Sequence, residues 1–236
     1  MNIWYAIPTA NLERARLCVH KWRRQGYRVA LWLDQPMDLE PDYVRVAPVY
    51  PGYFVAVNEL ARALVVEKGA EIVVTGGDDI DPDPNQCADR IGGDFVSRFP
   101  DLCGVMQPTG DSLPLTTRQC GSPWLGREWI VQANGGRGAF WPGYRHYYGD
   151  VELKHVAQRL KRLWQRPDLC QYHDQWRRHG GVSAMTDYQR RNSLRYFKDD
   201  RHLFRWRHRS GFPVRCRPWW ERHRWPQDFF AAQRHL

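Results

Sequence analysis

The sequence predicts an α/β protein: a Rossmann-type, mainly parallel sheet flanked by helices, followed by a basic, mostly helical C-terminal extension. Three observations carry that expectation. Short apolar runs rich in strand formers alternate with longer runs whose apolar residues recur at helical spacing, and the order strand, helix, strand, helix, strand implies right-handed crossovers between parallel strands. Glycines close the helical runs, at Gly26 and Gly69, as expected just past a helix C-terminus. Charge is split along the chain: of the net +9, residues 1–176 carry −1 and residues 177–236 carry +10. The body, 1–176, is therefore expected to be the catalytic domain, and 177–236 an extension rich in arginine and tryptophan (Trp206, Trp219, Trp220, Trp225).

The elements follow in order. NIWYAI, Asn2–Ile7, is a strand expected to stop at Pro8. Residues 11–26 form a helix with Leu12, Ala15, Val19 and Trp22 on one face. Tyr27–Leu33 is a second strand ending at Asp34, and VRVAPV a shorter third. VNELARALVVEKG is the second helix, and Glu71–Thr75 the next strand. Ligands of such sheets gather outside the carboxyl ends of the strands, so Pro8, Asp34 and Asp78–Asp79 should share one edge. Residues 104–148 are irregular and rich in Gly, Pro and Trp, as in a substrate-lining region. Asp150 opens a helix with Leu153, Val156, Ala157, Leu160 and Leu163 on one face.

The unusual feature is IVVTGGDDIDPDPNQ, where Asp78, Asp79, Asp81 and Asp83 follow a buried strand. Adjacent carboxylates repel, and a hard divalent cation relieves the repulsion; Mg²⁺ and Mn²⁺ keep positions open for substrate phosphates. A solvated acidic turn before a helix, with Pro82 and Pro84 as turn and first-turn residues, explains the same cluster without a metal. The length suits one ordinary domain plus an appendage. No run of eighteen apolar residues exists to span a membrane, and the N-terminus lacks the pattern of a signal peptide. Six scattered cysteines form no CxxC pair, which argues against a zinc ribbon and for reduced thiols in a cytoplasmic protein.

These motifs together resemble the GT-A fold of nucleotide-sugar glycosyltransferases, in particular the family-2-like inverting enzymes, over residues 2–176. IPTAN carries the Pro-Thr pair at a first strand end (Pro8, Thr9), ALWLDQP the strand-end aspartate that contacts the nucleoside (Asp34), and AVNELA the helix asparagine before the metal strand (Asn58). GGDDID stands where the family has its DxD motif, with Gly77 at the usual first Asp. The resemblance implies Asp79 as metal ligand and Asp78 as a ribose or metal neighbour, with the literal register Asp79-Ile80-Asp81 left open. YYGDVELKHVAQR resembles the family's base motif and implies Asp150 as catalytic base, although Gly149 replaces the usual preceding Glu. LCQYHDQW offers His173 as a further ligand for Mn²⁺ or Mg²⁺. The intervening GSPWLGRE and NGGRGAFWPGYRHYYGD supply candidate substrate contacts in Trp124, Arg127, Gly135, Gly136 and Trp141, and the same stretches resemble glycosyltransferases encoded by phage genomes. Bland alternatives stand beside these roles: helix capping for Asp150, helix-dipole compensation for Glu152, an ordinary polar histidine for His173, and core packing for either tryptophan.

The activity implied is metal-dependent, inverting transfer from a UDP-linked sugar to a hydroxyl. The basic, aromatic extension suits a polyanionic acceptor, since Lys and Arg neutralise phosphates and aromatic faces stack on bases; a hydroxymethylated base in phage DNA, met in the host cytoplasm, is the expected acceptor. A glycan or lipid-linked acceptor, a metal-dependent nuclease or phosphoesterase, and a binding module on an inactive transferase fold remain the competing readings.

Overall fold

The computed structural model describes residues 1–213. Trp219, Trp220, Trp225 and Cys216 lie outside the described residues. The chain runs β1 (Ile3–Thr9), α1 (Leu12–Arg24), β2 (Arg28–Leu33), β3 (Tyr43–Val46), α2 (Tyr53–Lys68), β4 (Ile72–Thr75), β5 (Ile80–Asp81), α3 (Ala88–Arg98), β6 (Val105–Pro108), α4 (Leu115–Arg118), β7 (Trp124–Gly126), α5 (Arg127–Gln132), α6 (Gly149–Arg159), β8 (Leu163–Arg166), β9 (Tyr172–His173) and α7 (Asp187–Arg209). Seven strands form one sheet in the order β3-β2-β1-β4-β7-β6-β8, and β5 pairs with β9 in a separate ribbon. Only β7 runs against its neighbours, so the sheet is mainly parallel and flanked by helices, the Rossmann-type arrangement expected from the sequence.

Both faces of the sheet are covered, which is why its strands read as continuous apolar runs. Alternation then sorts each strand between two cores. Ile3, Tyr5, Ile7, Val29, Leu31, Leu33, Ile72 and Val74 pack with Cys18, Val19 and Trp22 of α1 and Ile91 and Phe95 of α3. Trp4, Ala6, Ala30, Trp32 and Val73 pack on the other side with α2, α5 and α6. Asn11 caps α1, its Oδ1 accepting from Arg14 N at 3.0 Å, and Gly69 ends α2 at φ 65°. No disulfide joins the five described cysteines, and no helix among the described residues is long and apolar enough to cross a membrane.

Two expectations are corrected here. β1 continues through Pro8 to Thr9: its pairing with β4 ends at Ala6, while its pairing with β2 runs on to Thr9. A residue without N–H is thus accommodated where one neighbour has dropped away. Leu163 is not on the helix that begins beside Asp150. The helix ends at Arg159, Lys161 turns the chain at φ 56°, and Leu163 opens β8 beside Val105.

The described part of the extension is docked on the body. Thr186 and Gln189 form a reciprocal capping box at the start of α7. Asp200, 2 % exposed, accepts from the backbone N–H of Arg145, His146 and Tyr147 at 3.0, 2.8 and 2.8 Å. Leu203 and Phe204 pack against the core under α2 and α6. Asp200→Ala removes the shared acceptor of three amides and should lower stability by about 2–4 kcal/mol in urea denaturation, with Asp200→Asn intermediate because one acceptor oxygen remains.

Candidate functional site

β1, β2 and β4 run parallel and deliver their last residues to one edge. Beyond β4 the chain turns through Gly76 and Gly77. The Tyr5 hydroxyl donates to the Gly77 carbonyl at 2.7 Å, and a Cβ at Gly76 would collide with that hydroxyl. A Cβ at Gly77 would meet the Asp79 carboxylate, so a side chain there would have to displace it. The turn presents two carboxylates side by side. Thr9 Oγ1 donates to Asp78 Oδ2 at 2.7 Å. Arg14, in the first turn of α1, reaches Asp78 Oδ1 at 3.2 Å and Asp79 Oδ2 at 3.5 Å. His173 Nε2 lies 3.3 Å from Asp79 Oδ2.

His173 is held there by more than its own strand. Register places it opposite Ile80, and Asp174 N donates to the Asp79 carbonyl at 2.8 Å. Its own N–H donates to Asp111 Oδ2 at 3.1 Å, and Arg178 Nε donates to its carbonyl at 2.8 Å while pairing with the buried Asp111 carboxylate. The β5–β9 ribbon is thereby clipped across the carboxyl end of β4.

The four aspartates divide their work. Burial pushes the Asp78 carboxyl above its ordinary value, against the pull of Arg14 and Thr9. Burial pushes Asp79 up as well, but its hydrogen bond and charge contact with His173, together with Arg14, hold it below the ordinary value. Asp79 is the persistent anion of the pair. Asp81 turns away to Lys21 Nζ at 2.7 Å, so the register Asp79-Ile80-Asp81 does not converge on one point. Asp83 is 3 % exposed and accepts from the amides of Asn85, Gln86 and Cys170, a turn-fixing role.

Asp150 is the second residue of α6, behind an N-cap taken by Tyr148 at φ 68°; it is not itself the cap. Its Oδ1 accepts from Val151 N at 2.9 Å. Burial raises its pKa to about 6, with the Val151 amide and the charge of His173 opposing. Tyr53, at the start of α2, is half-buried, and its phenol is pushed well up by desolvation against a hydrogen bond with Thr75, with the charges of Asp150 and Asp79 adding to the rise. Asp150, Asp79, His173 and Tyr53 therefore occupy one electrostatic neighbourhood. Asp34 follows β2 on the same edge, and its Oδ1 is buried without a hydrogen-bond partner among the described residues; Pro8 pairs with Trp32, two residues before it, in the β1–β2 ladder.

Six other expected contacts are placed elsewhere. Asn58 is 6 % exposed and exchanges hydrogen bonds with the Phe140 backbone, 2.9 and 3.0 Å, so both ends of its amide are engaged as a clamp on the 138–140 segment. Trp124 is a core residue, 1 % exposed, with its ring 5.6 Å from Tyr27. Arg127 stands at the opposite edge of the sheet: its N–H donates to the Glu71 carbonyl at the start of β4, so it cannot face a ligand at the carboxyl ends. Trp141 is enclosed by Arg137 and Arg207, whose guanidinium carbons lie 4.6 and 3.4 Å from its ring centroid. Gly135 and Gly136 serve the turn after α5 at φ 69° and 82°.

Arg14, Tyr53, Asp111 and Arg178 were not singled out from sequence. Asp111 follows the end of a parallel strand, the rule that picked Asp34 and Asp78, but β6 is four residues long and easily missed. Arg14 sits three residues past an Asn that reads as an N-cap, which directs it to the strand ends.

A metal ion would find a partial site. Among the described residues no group of three or more His, Cys, Asp or Glu could hold one. Asp79 and His173 offer one oxygen and one nitrogen, a set that fits Mg²⁺ or Mn²⁺ shared with substrate phosphates rather than caged by protein.

No family model matches the chain, and no curated protein matches it in sequence. Among solved structures the chain is similar to A197 from STIV, at 13% identity over 73% of this chain and 85% of that one, with a TM-score of 0.46.

Proposed function

We propose that the protein is an inverting glycosyltransferase that moves a sugar from a UDP-linked donor, with Mn²⁺ or Mg²⁺, to a hydroxyl on nucleic acid, a hydroxymethylated base of phage DNA in the host cytoplasm. The observation that carries the reading is that His173 acts on two carboxyls of different character, a persistent anion it pairs with (Asp79) and one whose pKa burial raises to about 6 (Asp150). Two carboxyls whose environments push them apart are suited to different jobs. A cation held by Asp79 and His173 would offset the negative charge that grows on the departing diphosphate. Asp150, mostly ionised at neutral pH with a pKa near 6, takes the acceptor's hydroxyl proton as that oxygen forms its bond to the anomeric carbon and the bond to the diphosphate breaks. Asp34, whose Oδ1 is buried without a partner among the described residues, would accept from a nucleoside N–H or ribose hydroxyl once the site admits it, and Thr9 holds Asp78 at the neighbouring strand end. A base within a duplex must leave the stack to reach Asp150.

The competing nuclease reading is less well served. Two-metal phosphoester chemistry needs carboxylates that bridge or flank both ions, and Asp81 and Asp83 are engaged by Lys21 and by backbone amides. Calorimetry tests the proposal: UDP should bind with Mn²⁺ and lose that metal dependence in Asp79→Asn. Metal-dependent binding that survives in Asp79→Asn overturns this assignment of the site. Mass spectrometry of hydroxymethylated and plain DNA incubated with UDP-sugars should show a hexose mass only on the former; tight UDP binding with no transfer to any acceptor favours an inactive binding module.

A further inference from the structure

Helix α7 carries a line of basic side chains that the fold does not use. Arg191, Arg195, Lys198, His202, Arg205 and Arg209 recur at steps of 4, 3, 4, 3 and 4 residues. Steps of three and four hold side chains on one face of a helix, and the line is about 27 Å long at 1.5 Å per residue. All six are exposed, and among the described residues no carboxylate lies within ion-pair distance of any of them. The opposite face is the one that docks: Asn192, Asp200 and Arg207 are buried there, with Leu203 and Phe204 against the core.

We propose that the outward face of α7 is a docking surface for the phosphates of a nucleic acid. Charge complementarity selects the partner. A helix that lies on a lipid surface inserts an apolar face, and α7 has turned its main apolar face to α6 and the 141–148 segment. What it offers outward is cationic at its centre, with Leu194 and Trp206, 87% and 61% exposed, at the flanks. Cations at that spacing neutralise a phosphate backbone, and a tryptophan beside them is placed to stack on an exposed base. The surface is rigidly tied to the candidate site: the inner face of the same helix grips Glu152, two residues from Asp150, through Arg207 at 2.6 Å, and the 145–147 amides through Asp200. In naming where the acceptor rests, the proposal depends on the transferase reading; the binding itself does not.

The test uses the full chain with four exposed positions neutralised, Arg191→Gln, Arg195→Gln, Lys198→Gln and Arg205→Gln, and a control in which Arg24, Arg62, Arg90 and Arg98 become Gln. Fluorescence anisotropy with a labelled duplex and a single strand of equal length is followed against salt. The α7 variant should bind at least about tenfold more weakly at low salt, and its log K against log salt slope should flatten by about 2–4, near 0.9 per lost phosphate contact. The control should keep the parental slope, and circular dichroism and the UDP–Mn²⁺ thermal shift should be unchanged in both. An unaltered slope in the folded α7 variant, an equal flattening in the control, or parental binding to phosphatidylserine vesicles without binding to DNA would each overturn the proposal. If the slope flattens as expected but the parent shows no response to UDP, the docking surface stands and the transferase reading falls.

Discussion

Asp150→Asn is expected to slow glycosyl transfer by roughly 10²–10⁴-fold, the usual worth of a general base, while Mn²⁺-dependent UDP binding stays close to the parent's. The parent's rate should rise with pH through about 6 and then level, because burial sets the pKa of the acting carboxyl there; the variant's residual rate should lack that rise. Stability should move the other way. The native state holds the Asp150 proton more tightly than the unfolded chain, where the ordinary 3.8 applies. The stability tied to this group is therefore full below pH 3.8 and lost as pH rises through about 6; above that, the half-buried anion costs at most about 3 kcal/mol at 1.36 kcal/mol per pKa unit. Asn carries no such cost, so the ligand-free variant should melt higher than the parent at pH 8, with the difference shrinking towards pH 4. A variant that transfers sugar at the parental rate moves the base elsewhere. Glu152 is excluded as that alternative, since Arg207 and Tyr144 hold it 2 % exposed in the core.

The strand-end residues were legible because parallel topology fixes their location before any side chain is placed. Once β1, β2 and β4 are recognised as parallel strands, Pro8, Asp34 and Asp78–Asp79 must share an edge, and the structure places them at the carboxyl ends of those strands, with β1 running one residue on to Thr9. What sequence could not give was anything decided by non-local pairing. Arg127 looks like a loop cation near a glycine-rich stretch, yet β7 runs antiparallel and carries it to the far edge. Leu163 fits a helical face by spacing, and only its partner Val105 makes it a strand residue. Asp83 looks like a fourth metal-site acid until Cys170, 87 residues away, donates to it. The boundary drawn at residue 176 from charge alone passes over the buried contacts by which α7 grips the body.

Those contacts support the second large effect: Glu152→Ala should lower stability by about 3–5 kcal/mol, the range for stranding one member of a buried ion pair. Arg207 is 1 % exposed, with Nε and Nη2 both donating to the Glu152 carboxylate at 2.6–3.0 Å and the Trp141 ring 3.4 Å from its guanidinium carbon. Without Glu152 that guanidinium has no anion and no route to water. Arg207→Met alone leaves the carboxylate with the Tyr144 hydroxyl, 2.8 Å away, as its remaining described partner, and should cost a similar amount. The double variant Glu152→Met with Arg207→Met should recover most of the loss, because methionine fills the space against Trp141 and no charge is left unpaired. It should stay about 1 kcal/mol short of the parent through the hydrogen bond Tyr144 loses. A double-mutant cycle in urea measures the coupling. Additive single and double effects would mean that the pair does not lock α7 to α6. If the coupling is found, the folded double variant should still bind DNA through its outward face, and any loss of transfer in it then reports how firmly Asp150 is held rather than whether the acceptor docks.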